Sequence, residues 1–90
     1  MAIFKQHIPA FVEGVERREF EFNTLEELKA GAPLAYPENH YCYDKYFNCQ
    51  LLMESTPDNE QWIVLGYVDG FDLSEHLPKF EMKEETYESV

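Results

Sequence analysis

The residues Trp62-Ile63-Val64-Leu65-Gly66-Tyr67-Val68 form a nearly continuous apolar run. A run this short and this apolar is typical of a central β-strand that is covered on both faces. The turn-forming cluster Thr56-Pro57-Asp58-Asn59-Glu60 precedes it and separates it from a second apolar segment, residues 46–54. The two segments therefore predict an antiparallel hairpin.

Within residues 46–54, the apolar residues Phe47, Cys49, Leu51 and Met53 alternate with more polar ones, and Leu52 is the exception. This two-residue period predicts that the four share one face of a single strand. The preceding residues, 31–45, contain two prolines and are interpreted as a loop whose exit becomes extended toward residue 41.

Toward the amino terminus, Phe20 and Phe22 alternate with glutamates, which predicts a half-buried strand. Thr24 then offers a helix cap with Glu27 at the reciprocal position of a capping box, so a short helix is expected over 25–30. Residues 2–8 are assigned to a further strand, and residues 73–77 to a single helical turn capped by Asp72.

These elements predict an α+β fold, a small single domain in which one short helix packs on an antiparallel sheet of three to five strands. Residues 1–82 would form this domain. Residues 83–90 would form an acidic, frayed tail. Ninety residues leave no room for two independent cores.

The charge of the chain limits the class of partner. Eighteen Asp and Glu stand against seven Lys and Arg, for a formal net charge of −11. A surface of this sign disfavours direct contact with nucleic acid and with anionic membranes. The surplus is concentrated after residue 53, where ten acidic residues face two lysines. We therefore expect a basic protein as the partner.

Tyrosines and acidic residues of the middle and carboxyl-terminal parts are the candidate contacts with that partner. Tyrosine brings a large contact area at little cost in side-chain entropy, and a tyrosine beside a carboxylate can hold an arginine. The predicted partner-binding residues are Tyr36, Tyr41, Tyr43, Asp44, Asp58, Glu60, Asp69, Asp72 and Glu75.

Signs of catalysis or of bound groups are weak. The two cysteines, Cys42 and Cys49, lack the paired spacing of a zinc knuckle and are expected to be reduced thiols of a cytoplasmic protein. The turn at Asp58 fails the ligand pattern of a calcium-binding loop, because its fifth position is Trp62. No nucleophile elbow or phosphate-binding loop is present in the sequence. We expect no enzymatic activity, no cofactor and no metal.

In size, charge and the apparent lack of catalytic motifs, the chain resembles the small acidic proteins that phages encode against host defences, the anti-CRISPR and anti-restriction proteins. The resemblance implies a viral protein that binds a basic nucleic-acid channel in the host cytoplasm and blocks it, in some cases as a DNA mimic. It transfers no residue roles, because no motif aligns.

The leading hypothesis is therefore a non-enzymatic inhibitor or regulator of a nucleic-acid-handling partner. A second hypothesis is a structural or assembly module that forms a homo-oligomer through an exposed strand edge. A third is a small enzyme or metal protein that uses His40, Cys42 and Cys49.

Overall fold

The computed structural model describes residues 1–34, 36, 40–58 and 60–80. These residues form five strands and one α-helix, in the order β1 (Ala2–Gln6), β2 (Glu19–Phe22), α1 (Leu25–Gly31), β3 (Tyr41–Tyr46), β4 (Cys49–Ser55) and β5 (Trp62–Asp69). A single 3-10 turn, Leu73–Glu75, follows β5. The strands form one antiparallel sheet in the order β2-β1-β5-β4-β3. The prediction of a small α+β domain is confirmed.

The apolar run around Gly66 is the central strand β5, which pairs with β1 on one side and β4 on the other. Gly66 is required by close packing. A Cβ at this position would lie 2.3 Å from the Lys5 carbonyl oxygen and 2.5 Å from Cζ of Phe4. The absence of a side chain lets the Phe4 ring lie directly over the strand.

The helix forms where its capping residues predict it. The Thr24 hydroxyl accepts a hydrogen bond from the Glu27 amide at 3.2 Å, and the Glu27 carboxylate accepts one from the Asn23 amide at 2.9 Å. The helix continues through Gly31, one residue beyond the predicted end, and the Ala32 amide donates to the Leu28 carbonyl. Its buried residue, Leu28, packs on one face of the sheet.

That face of the sheet holds the hydrophobic core, whose fully buried side chains are Phe4, Phe22, Leu28, Leu52, Val68 and Leu73. The helix and the 3-10 turn both pack there, so we call it the helix face. The opposite face carries neither element and is called the helix-free face.

One detail of the predicted hairpin is wrong. Residues 41–45, which were interpreted as the end of a loop that becomes extended toward residue 41, belong to strand β3, and the predicted single strand 46–54 is broken by a tight turn at Phe47 and Asn48. Cys49, Leu51 and Met53 share the helix-free face, as their alternation predicts, and Leu52 lies in the core on the opposite face. Because three apolar residues follow one another here, alternation alone could not choose the buried face.

The carboxyl-terminal part of the described chain passes the free edge of β3. The Tyr43 amide donates to the Pro78 carbonyl at 3.1 Å, and the Phe80 amide donates to the Tyr43 carbonyl at 2.7 Å. Phe80 then reaches Trp62 on the helix-free face, with ring centroids 5.8 Å apart. The predicted tail, residues 83–90, lies outside the described residues.

Candidate interaction surface

One end of the sheet gathers carboxylates from separate parts of the chain. Strand β2 ends at Phe22, and β5 ends at Asp69. The Phe22 ring packs against the ring of Phe71, in the connection after β5, with ring centroids 5.4 Å apart, so the two strands finish at the same end of the sheet. The first turn of α1 and the 3-10 turn therefore lie at this same end. Six acidic residues lie there, and together we call them the acidic end: Glu21, Glu26, Glu27, Asp69, Asp72 and Glu75.

Hydrogen bonds within the acidic end stabilise the ionised form of the Asp72 carboxylate. Ser74 donates to the Asp72 carboxylate from both its hydroxyl and its amide, and these bonds lower the pKa of Asp72; His76 and Lys45 lower it further. Among the Lys and Arg residues that the structure describes, Lys45 lies at this end, and Lys5 lines a cleft together with Asp69. The acidic end is thus strongly negative at neutral pH.

An exposed aromatic pair lies at the same end of the sheet, at the turn between β3 and β4. Tyr46 is 52% exposed and Phe47 is 80% exposed, and their rings contact each other with centroids 4.3 Å apart. We call these two residues the hairpin tip. Their neighbour Asn48 lines one cleft together with Asp69 and a second cleft together with Asp72, so the hairpin tip directly adjoins the acidic end.

The backbone of the hairpin tip is strained. Phe47 has a φ of 55°, and it is the only residue other than glycine with a positive φ among those the structure describes. A side chain costs roughly 1–2 kcal/mol in this left-handed region, where glycine is at ease. At this position the chain therefore carries both a strained backbone and an exposed apolar ring. Neither of these features favours stability.

The tyrosines that were predicted as contacts lie elsewhere. Tyr41 and Tyr43 are half-buried on the helix face and pack against the core, and the Lys29 ammonium lies 4.9 Å from the centre of the Tyr41 ring. Tyr36 is half-buried and outside the strands and the helix. Asp44 points to the helix-free face, opposite to its neighbour Tyr43. The structure therefore does not bring these four residues together.

The predicted acidic contacts are divided between the two ends of the sheet. Asp69, Asp72 and Glu75 belong to the acidic end. Asp58 and Glu60 lie in the turn between β4 and β5 at the other end, about 23 Å away along β5. There the Thr56 hydroxyl and the Glu60 amide both donate to the Asp58 carboxylate and lower its pKa. The Asp58 carboxylate therefore stabilises the turn in which it lies.

Glu26, Glu27 and Phe47 were not predicted as contacts. A signal for the two glutamates existed. Only two residues separate β2 from the helix, so the first helical turn must lie at the end where β2 finishes. No comparable signal marked Phe47, because the tight turn carries none of the usual turn residues except Asn48.

The thiols do not form a joint site. Cys42 is buried, at 2% exposure, and burial together with the nearby Asp44 raises the pKa of its thiol from 9.0 to about 12. Cys49 is half-buried and its thiol donates to the Tyr46 carbonyl at 3.0 Å. Cys42 lies opposite Met53 and Cys49 lies opposite Tyr46, so the two cysteines lie near opposite ends of the β3–β4 pair, about 13 Å apart. In the described part of the chain, no group of three or more His, Cys, Asp or Glu side chains is arranged to hold a metal ion.

The described part of the chain contains no helix with the length and apolar character needed to cross a membrane. No protein family model matches the sequence, and neither the characterised proteins nor the solved structures compared with it include a match.

Proposed function

We propose that this chain is a non-enzymatic binding protein that attaches to a basic protein surface through its hairpin tip and its acidic end. The observation that carries the proposal is the position of Phe47. Its ring is 80% exposed on a backbone with a φ of 55°, at the end of the sheet that carries the acidic end, and its neighbour Asn48 shares clefts with Asp69 and Asp72. In the free protein the exposed ring is in unfavourable contact with water, and a partner that buried the ring would remove this contact.

The arrangement resembles the usual anatomy of a protein interface. Binding energy concentrates in a few aromatic or arginine anchors, and polar residues around them exclude water and set specificity. Tyr46 and Phe47 would be the anchors here, and the acidic end would form one side of the rim. Charge of one sign also accelerates the encounter with a partner of the opposite sign.

Nucleic-acid-handling proteins are the class of partner that this charge fits, because they present clustered Lys and Arg to bind phosphates. A protein that covered such a cluster would compete with the nucleic acid and inhibit or regulate its partner. This is the role implied by the resemblance to phage-encoded inhibitors of host defence.

Two triple variants test the proposal. An acidic-end variant carries Glu26→Lys, Asp69→Lys and Glu75→Lys, and a control variant carries Glu13→Lys, Glu16→Lys and Glu60→Lys. All six residues are exposed, and both variants change the net charge by the same amount. Each protein is immobilised, exposed to a host lysate at low and at high salt, and its captured proteins are identified by mass spectrometry.

We expect the wild type and the control variant to recover the same nucleic-acid-binding protein at low salt, and the acidic-end variant to lose it. Loss of the partner by both variants would show that total charge, and not the acidic end, governs binding, and full recovery by both would show that neither does. Recovery of no partner, together with a defined multimer by light scattering, would favour the assembly module. The edge strand β2 is short and carries Glu19 and Glu21, which oppose pairing between sheet edges.

A further inference from the structure

The helix-free face of the sheet presents an apolar strip that the proposed function does not use. Its members are half-buried and come from three adjacent central strands: Ile3 of β1, Val64 and Tyr67 of β5, and Leu51 of β4. The register joins them, because Leu51 lies opposite Tyr67, and Tyr67 lies opposite Lys5 of β1. Three strands at about 4.8 Å spacing make the strip about 10 Å wide.

Carboxylates border the apolar strip on three sides. Asp44 lies on the β3 side, opposite Leu51, and Glu19 and Glu21 lie on the β2 side, opposite Lys5 and Ile3. Asp69 lies opposite Ile3 and closes the strip at the acidic end. The two lateral borders are four strand spacings apart, or about 19 Å.

A cleft deepens the strip near the acidic end. It has a volume of about 320 Å³, and its lining includes Ile3, Tyr67, Lys5, Glu19 and Asp69. Lys5 brings one positive charge to the cleft and Glu19 and Asp69 bring two negative charges, so the net charge still suits a long side chain with an apolar stem and a cationic head. Lysine and arginine have this form.

These dimensions match one kind of ligand. An α-helix with its side chains is about 10–12 Å in diameter, which is the width of the strip. Lysine or arginine side chains on the flanks of such a helix extend past its radius toward carboxylates that stand about 19 Å apart. The helix face already shows how this sheet accepts a helix, with Leu28 of α1 packed on its other side.

We infer that the apolar strip of the helix-free face binds a basic amphipathic α-helix of a partner protein. The apolar stripe of that helix would cover Ile3, Leu51 and Tyr67, and its basic flanks would lie against Asp44 on one side and Glu19 on the other. The inference rests on the proposed function in one respect, namely that the partner is basic. It uses a different surface from the hairpin tip.

The test uses a synthetic peptide of leucine and lysine as the probe. In one version the order of residues makes an amphipathic helix, and in the other the same residues are scrambled so that no apolar stripe forms. Each peptide is titrated into the ¹⁵N-labelled chain, and amide shifts are followed together with the affinity. We expect the amphipathic peptide to bind more tightly and to shift the amides of Ile3, Leu51 and Tyr67.

Two matched variants then separate the surfaces. Leu51→Gln removes an apolar contact from the strip, and Phe47→Gln removes one from the hairpin tip, without a change in charge. We expect Leu51→Gln to weaken binding of the amphipathic peptide about tenfold, as for the loss of one buried apolar side chain, and Phe47→Gln to leave it unchanged.

Three results would overturn the inference: equal affinity for the scrambled peptide, amide shifts confined to the acidic end, or an equal effect of the two variants. The shift map of the wild type decides the matter even if Leu51→Gln does not fold. If the peptide shifts only amides of the acidic end, the inference about the apolar strip fails but the proposed function does not. If the charge-reversal variants contradict the proposed function, the peptide titration still shows whether the apolar strip binds a helix.

Discussion

Replacing Phe47 by glycine and by alanine tests whether the hairpin tip is strained. Both substitutions remove the exposed ring and its 4.3 Å contact with Tyr46, so they differ only in the Cβ atom. At a φ of 55°, that atom is unfavourable. We therefore expect Phe47→Gly to be the more stable of the two variants.

The size of the difference follows from two opposing terms. Relief of the left-handed strain favours the glycine variant by about 1–2 kcal/mol. The larger loss of backbone entropy when glycine folds opposes it by about 0.5–1 kcal/mol. The glycine variant should therefore be more stable than the alanine variant by about 0.5–1 kcal/mol.

Urea unfolding followed by circular dichroism measures this difference. With an m-value of about 1 kcal/mol/M for a domain of this size, the unfolding midpoint of the glycine variant should be higher by about 0.5–1 M. An alanine variant that was as stable as the glycine variant, at the same m-value, would show that the backbone at Phe47 is not strained. Phe47 would then not be held in a left-handed conformation, and its exposure would be the only unusual feature.

Other substitutions and titrations test separate parts of the structure. Gly66→Ala places a Cβ 2.3 Å from the Lys5 carbonyl oxygen, which the sheet holds in place, and should lower the free energy of unfolding by about 3 kcal/mol in urea titrations; an unchanged midpoint would contradict this packing. At pH 8, Cys49 should react readily with a disulfide reagent and Cys42 only after unfolding, because Cys42 is buried and the pKa of its thiol is raised to about 12; rapid reaction of both thiols in the native protein would be the contrary result. Asp72→Asn should be less stable than the wild type above pH 3.8, the ordinary pKa of the carboxyl, because the native pKa is lowered. That advantage should be lost as the pH falls through the lowered pKa, and a difference that persisted in acid would show that the charge of Asp72 is not responsible.

Much of the fold could be predicted because its strongest signals are local. The apolar run at residues 62–68 is the central strand, and the alternation of Phe20 and Phe22 gives the buried face of β2. The capping residues Thr24 and Glu27 fix the start of the helix. In each case the side chains that specify the element lie within a few residues of one another.

Strand β3 could not be predicted because the turn between β3 and β4 has an unusual residue at its first central position. A two-residue hairpin with a positive φ at its first central position normally has glycine there, and this chain has Phe47. Without a turn signal, Phe47, Cys49 and Leu51 form an unbroken alternation that crosses the turn. The pattern predicted one strand where the chain forms two.

The contact surface could be predicted only in part, because it depends on which connections share an end of the sheet. Asp69 and Asp72 are near in sequence and remain near in space. Asp58 lies only eleven positions before Asp69 in the sequence, yet the length of β5 separates them. Glu26 is distant from both in sequence but lies at the same end as Asp69, because β2 and β5 finish together.

Whether the acidic end is the recognition surface can be decided from the association rate of the captured basic partner, measured at rising salt concentration. For the wild type and the control variant, we expect the rate to fall steeply as salt increases, because the acidic end steers the encounter. The acidic-end variant should bind slowly at every salt concentration. Identical salt dependence in the acidic-end and control variants would contradict the claim that this end of the sheet is the recognition surface.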